Sequence, residues 1–339
     1  NERSRDFTPD LRGCSVGLSS GTSGHRGLFV VSPAERDAWA GTVLARTLPP
    51  RRLTGHRIAL FLRADNTLYE SVGSRAVTFA YFDLYAPVAD NLARLAAFDP
   101  TILVAPPSML LPIAAADLGL RPARVYSVAE VLTDADAARI RAGLGLDVLH
   151  QLYQCTEGFL AHTCARGVLH LNEDDVLIER EYLDERRFVP VVTDLRRRAQ
   201  PIVRYRLGDV LVERAEPCPC GSALTALERI EGREDDTLVL TGLDQTPTRV
   251  FADLVARAMI HADGVTEYRV RQVGAASLEV ELEPGDPWVR AGVRTELDLL
   301  WSRLRVHAPE VSFMPYRAAV GTKLRRVERA WTGDADEAL

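Results

Sequence analysis

Lysine is almost missing from this 339-residue chain: of 41 basic side chains, 40 are arginine and one, Lys323, is lysine. Any chemistry that needs a compact ammonium donor therefore has a single candidate. Long apolar runs are missing too. None approaches the ~20 residues that a membrane-spanning helix requires, and the first residues, NERSRDF, have neither a charged n-region nor an apolar h-region, so a cytoplasmic setting without a membrane partner is expected. Repeats, low-complexity tracts and blocks of one charge sign are absent, and a net charge of −6 spread in mixed order argues against a nucleic-acid surface. Five cysteines are too few, in such a setting, for a disulfide framework. Neither common phosphate loop occurs: there is no G-x-x-x-x-G-K-[ST] and no G-x-G-x-x-G after a strand.

What is present reads as an ordinary soluble protein, 47% hydrophobic and 26% charged, with length for a large domain and a smaller one. Strand-like runs at 56–63, 101–105, 123–128 and 147–153 alternate with helical patterns, one of them at 133–144, which predicts an α/β sheet. After Val176 strands follow one another without long helices, predicting an antiparallel continuation. Beyond the polar break at Gly232 and Asp235–Asp236 the order becomes helix, strand, strand, helix, strand, a small α+β unit of the ferredoxin-like kind. The expected domains are 1–234 and 235–339.

Five segments carry chemistry. SSGTSGHRG is a run of small hydroxyl and glycine residues, Ser19, Ser20, Gly21, Thr22, Ser23 and Gly24 among them, whose amides and hydroxyls can surround a polyphosphate; an ordinary surface loop is the alternative. It is followed by QLYQCTEG (Gln151 to Gly158), PIVRYRLGD (Pro201 to Asp209), IEGREDDTLVL (Ile230 to Leu240) and VGTKLRRVER around Lys323. In this order the segments resemble the signature motifs of the acyl-adenylate-forming (AMP-binding) superfamily. Within it the chain is most similar to the phenylacetate–coenzyme A ligase branch, and to adenylate-forming enzymes related to the synthetases that adenylylate a deazaflavin coenzyme. The resemblance runs over nearly the whole chain, and relatives carry roughly a further hundred residues before the first motif, so part of the large domain is expected to precede this sequence.

The resemblance implies a large multi-sheet α/β domain followed by a small mobile domain, and ATP with Mg²⁺ as cofactors. It implies that Tyr153 stacks on adenine, Thr156 faces the phosphates, Glu157 holds Mg²⁺, and the backbone at Ala129 and Glu130 lines the adenine pocket. Asp209 would accept hydrogen bonds from the ribose hydroxyls, Arg233 would reach ribose and phosphates, and Asp235 would be the hinge. Lys323 would bridge the substrate carboxylate and the α-phosphate. The chain departs from the family in two places: His25 and Arg26 stand where many relatives have Pro-Lys, and Gln154 stands where glycine is usual.

The expected reaction is adenylation of a carboxylic acid, with an aromatic acid implied by the branch, and then transfer to the thiol of coenzyme A or of an acyl carrier protein. Phe79, Tyr81 and Phe82 are candidates for the acid pocket, or are simply a buried strand. Adenylyl transfer to a coenzyme hydroxyl and a catalytically silent nucleotide-binding module stay open as alternatives, as does a homodimer.

The cysteines support a separate reading. Cys218-Pro-Cys220-Gly is a tight turn that can present two thiolates, and Cys164 with His170 from another hairpin would complete a Cys₃His tetrahedron for structural zinc. Free thiols are the alternative. The C-x-C spacing is shorter than the usual one, and no open coordination position is implied.

Overall fold

The apolar runs become strands because β-branched and aromatic side chains pack well on a pleated sheet covered on both faces. The computed structural model describes residues 10–18, 28–49, 54–62, 77–84, 86–317 and 325–331. The described residues fall into two compact units. The first takes those up to Leu207 together with Val212–Ile230, and the second takes Gly208–Leu211 and, apart from that stretch, those from Glu231 onward.

In the first unit β1 (Asp10–Leu11), β2 (Cys14–Leu18) and β3 (Leu28–Val31) form an antiparallel sheet with β3 at one edge. Helix α1 (Pro33–Thr47) starts at once because SPAE is a helix signal. The Ser32 hydroxyl accepts from the Glu35 amide, Glu35 reaches back to the Ser32 amide, and Pro33 presets the first turn. Then come β4 (His56–Leu62), β5 (Val77–Asp83), α2 (Val88–Phe98), β6 (Ile102–Ala105), α3 (Pro107–Ala115), β7 (Arg124–Ser127), α4 (Asp134–Leu144) and β8 (His150–Cys155). The five strands lie parallel in the order β5-β4-β6-β7-β8, as the alternation of the sequence predicts.

The sheet continues through β9 (Gly158–Thr163), β10 (Leu169–Leu171), β11 (Val176–Tyr182), β12 (Arg187–Asp194), β13 (Tyr205–Arg206), β14 (Asp209–Glu213) and β15 (Ala226–Arg233). Its full order is β11-β12-β14-β15-β10-β9-β8-β7-β6-β4-β5, with β13 beside β12. Pairs β8–β9, β9–β10, β10–β15 and β11–β12 are antiparallel, so β8 is where the sheet changes sense. Phe82 is spent on the core beneath this sheet: it is fully buried, its ring centroid is 4.6 Å from that of Phe61, and the Arg94 guanidinium sits 4.4 Å from the ring centre. Of the three aromatics considered for an acid pocket, Phe82 is therefore packing. Phe79 packs on the other face with Ile58, Ile102 and Tyr126, while the Tyr81 hydroxyl donates to the Leu62 carbonyl at 3.2 Å.

The second unit contains the hairpin β16 (Leu238–Thr241) and β17 (Pro247–Val250), α5 (Ala252–His261), β18 (Glu267–Gly274), β19 (Ser277–Glu283), α6 (Pro287–Leu304), β20 (Glu310–Pro315) and β21 (Val327–Arg329). Its four-stranded sheet has the order β20-β19-β18-β21. The α+β composition is the one expected, and α6 joins the neighbouring parallel strands β19 and β20 without an intervening strand. Val270, Val280, Val293, Leu297 and Trp301 fill the core. The buried Gln272 side chain ties β18 to β16 reciprocally, accepting from the Val239 amide at 3.0 Å and donating to the Val239 carbonyl at 2.7 Å. No helix among the described residues is long and apolar enough to cross a membrane.

One buried titratable group sets an acid limit on the first unit. His150 lies against Tyr126, ring centroids 5.1 Å apart, and burial first and the Arg124 charge second hold its imidazolium form down to about 4. A folded value below the ordinary 6.5 means that the neutral ring is the native form. The stabilisation is complete above pH 6.5 and is lost as pH falls towards 4, on the order of 3 kcal/mol in all. His150→Gln should flatten the stability curve in that window, and denaturant titrations at pH 7 and pH 4.5 check it; an unchanged slope would mean that His150 is not the group responsible.

Candidate functional site

The sheet's change of sense at β8 creates the site. Parallel pairing of Tyr126 with His150 and of Ser127 with Gln151 brings the carboxyl ends of β7 and β8 side by side, the place where open α/β sheets leave a crevice. The next antiparallel strand starts only two residues after β8, so the turn Thr156–Glu157 must sit at that end. The ladder is bulged between Tyr153 and Gln154, which re-aims the side chains that follow. Tyr153 is 7% exposed, whereas Gln154, Cys155, Thr156 and Glu157 are half-buried.

Beside it the chain leaves β7 through a strained turn. Ala129 has φ 66°, and the Glu130 amide donates to the Val128 carbonyl at 2.8 Å, a γ-turn with positive φ that costs a residue bearing a Cβ about 1–3 kcal/mol. The Glu130 carboxylate is turned to the start of α3, accepting from the Ser108 amide at 3.1 Å, where an acidic group suits the helix N-terminus. Ala129 itself is exposed.

A second cluster lies in the second unit. Asp209 and Arg233 approach to 4.0 Å, and the Arg233 guanidinium crosses Gly208 so closely that a Cβ there would stand 2.6 Å from Nη2. The Glu234 amide donates to the Gly208 carbonyl at 2.6 Å. Asp236 holds the segment from below: its carboxylate accepts from the Arg233 amide at 3.2 Å and from Arg325 Nε at 2.8 Å. Burial raises the Asp236 carboxyl above the usual carboxylate range, against the charge of Arg325. Asp235 belongs to the single 3₁₀ turn Glu234–Asp236.

A third cluster, again in the first unit, gathers Cys164, His170, Cys218 and Cys220, with their ligand atoms all within 4.8 Å of one another. The edges fit a tetrahedral ion. Zinc–sulfur and zinc–nitrogen bonds of ~2.3 and ~2.0 Å imply sulfur–sulfur and sulfur–nitrogen separations of about 3.8 and 3.6 Å. The Cys164–Cys218 sulfurs are 3.9 Å apart, and the Cys220 sulfur is 3.5 Å from His170 Nε2. His170 Nδ1 lies 3.0 Å from the Leu224 carbonyl, which can only accept, so Nδ1 carries the proton and Nε2 is left as a ligand. The Arg166 and Ser222 amides donate to the Cys164 and Cys220 sulfurs, each at 3.4 Å, and the Ser222 contact lowers the Cys220 thiol.

The structure thus sets Tyr153, Thr156 and Glu157 at the same end of the sheet as Ala129 and Glu130, pairs Asp209 with Arg233, and brings the three cysteine sulfurs and the His170 imidazole together. Ser19, Ser20, Gly21, Thr22, Ser23, Gly24 and Lys323 lie outside the described residues. Sequence reasoning missed Gly208, Asp236 and Arg325; the doublet Asp235–Asp236 and the basic run after Lys323 were visible, but not that one carboxylate serves both. It also missed the segment Asp194–Gln200, which touches the Thr156 turn.

Comparison with known proteins decides what this framework is. No family model matches the chain. It is 31% identical to the phenylacetate–coenzyme A ligase of Thermus thermophilus over 48% of this chain and 39% of that protein. The chain therefore matches well under half the length of this curated relative. Among solved structures, 2-hydroxyisobutyryl-CoA ligase in the postadenylation state with 2-HIB-AMP matches with a TM-score of 0.72 and 17% identity, covering 96% of this chain and 74% of that one. A benzoate CoA ligase from Burkholderia xenovorans LB400 matches with a TM-score of 0.62 and 15% identity, covering 94% and 69%. The fold is that of the adenylate-forming acyl-CoA ligases. At these identities the solved neighbours establish the fold, and the phenylacetate ligase adds a resemblance in sequence.

Gly208→Ala should displace the Arg233 guanidinium and leave the strands in place, because the clash is with the end of a flexible side chain. A crystal structure of the variant checks this; a guanidinium still lying across residue 208 would show that the glycine is not required there.

Proposed function

We propose that the protein joins a carboxylic acid to ATP, forming an acyl-adenylate and pyrophosphate, and then passes the acyl group to the thiol of coenzyme A. The observation that carries this reading is the bulged β8–β9 turn with Tyr153, Thr156 and Glu157 beside the strained Ala129 turn, in a fold whose solved members hold acyl adenylates. Acid and nucleotide are both anions, so the site must hold them together against their repulsion. Tyr153 offers an apolar ring to the adenine, and the backbone of the exposed residue Ala129 offers amide and carbonyl to its edge. Asp209 and Arg233 bind ribose and phosphate oxygens. Glu157 would hold Mg²⁺, which supplies positive charge to the phosphate oxygens. Ser19 to Gly24 enclose the β- and γ-phosphates, and Lys323 neutralises the carboxylate and the α-phosphate as they meet.

A carboxylate oxygen attacks the α-phosphorus, the bond to the bridging oxygen breaks and pyrophosphate leaves; a thiolate then attacks the acyl carbon and AMP leaves. The small domain turns about Asp235 between the two steps. We take the acid to be aromatic, since phenylacetate and benzoate ligases are among the relatives, although a hydroxyisobutyryl ligase matches as well. Cys164, His170, Cys218 and Cys220 would hold a structural zinc, because the donor atoms and their separations suit it and four protein donors complete a tetrahedron.

Lys323→Ala should lower acid-dependent pyrophosphate exchange about 10²-fold or more and spare transfer from a prepared acyl-adenylate, whereas Glu157→Gln should raise the Mg²⁺ requirement of the first step. Equal losses in both half-reactions would contradict the role given to Lys323. Purified protein should carry close to one zinc per chain by elemental analysis, and Cys218→Ser should lower both zinc content and melting temperature. Absence of metal from protein purified without chelator would remove the zinc from this scheme.

A further inference from the structure

Resting on the reading above, we infer that Arg197 is a positioning residue that fastens the Thr156–Glu157 turn to strand β3, directly downstream of the glycine-rich segment. Its Nη1 donates to the Thr156 carbonyl, and its Nη2 donates to the Val30 carbonyl at 3.0 Å and to Gln200 Oε1 at 3.1 Å. Gln200 completes the hold on β3. Its Oε1 accepts from the Val30 amide at 2.9 Å and its Nε2 donates to the Leu28 carbonyl at 3.1 Å, so one side-chain amide occupies the edge that β2 leaves open.

The segment that carries Arg197 is itself fixed. Asp194 Oδ1 accepts from the Arg196 and Arg197 amides at 2.8 and 3.1 Å, and Glu35 accepts from the Arg198 and Ala199 amides. Burial acts to raise the Glu35 carboxyl, but these amides and Ser32 outweigh it and bring the group down to about 2. The guanidinium is half-buried, its Nε is buried without a hydrogen-bond partner, and among the described residues no carboxylate pairs with it. A charge that a structural ion pair would neutralise is here spent on two backbone carbonyls and a side-chain amide, the first carbonyl adjoining the residue expected to hold Mg²⁺. A planar fork makes the two carbonyl contacts from two separate nitrogens in fixed directions, where a lysine offers a single rotatable ammonium.

Hydrogen–deuterium exchange on the full chain reads this directly. Arg197→Ala should raise exchange at Leu28–Val31 and at Cys155–Gly158 together, with the strands of the second unit unchanged. Arg197→Lys should not restore either segment, and Gln200→Ala should loosen the first alone. If neither segment responds to Arg197→Ala in folded protein, the fastening does not exist, whatever the protein adenylates. In wild-type protein that exchanges pyrophosphate with its acid, the same variant should lower kcat on the order of 10²-fold, as expected for a displaced catalytic turn, with the KM for the acid unchanged. Loosened segments with unchanged kcat would overturn the positioning role. Wild-type protein inactive with every acid would overturn the adenylation reading, and the exchange data would still decide the fastening.

Discussion

Backbone hydrogen bonding around β8 is the constraint from which the first unit follows. With β7 on one side the ladder is parallel, and with β9 on the other it is antiparallel. A parallel neighbour requires a long crossover, here through α4, whereas an antiparallel one is reached in a two-residue turn. The short turn is therefore forced to the same end of the sheet as the exits of β6 and β7. That coincidence brings the segment Tyr153–Glu157 to the same end of the sheet as Ala129.

Arginine does the fastening. A guanidinium offers five donors in a rigid plane and can hold a carbonyl or a carboxylate from a fixed direction, which suits segments that no ladder includes. Arg46 grips Asp174 and Asp175 at the end of α1, Arg325 grips Asp236 ahead of β21, and Arg197 grips two carbonyls. A compact, strongly hydrated ammonium lacks that planar fork and fastens less well.

Much of the fold was legible because each element announced itself locally. Strands at 56–62 and 102–105 are apolar runs of strand length, and α4 is bracketed by Thr133 as a cap and Gly145 in the left-handed region at φ 64°. The grouping of Cys164, His170, Cys218 and Cys220 was legible for another reason: few residue types bind soft metals, so a handful of positions could be combined by inspection. Arg197 was not legible. It sits in the run Arg196–Arg198, and only the fold shows that the first pairs with Asp175, the second with carbonyls, and the third contributes its amide to Glu35. Phe82 stayed open between two readings for the converse reason, since an aromatic at strand spacing fits a pocket wall and a core equally well until the Phe61 ring is found against it.

The same argument explains how 17% identity can accompany a TM-score of 0.72. At the candidate site the geometry is written largely in backbone: a positive φ at Ala129, a bulge after Tyr153, the Thr156 carbonyl, and the space above Gly208 that only a missing Cβ leaves open. Backbone features constrain the residues that bear them only where sterics demand it, as at Gly208, and the side chains that hold them in place can be exchanged for others with the same donors.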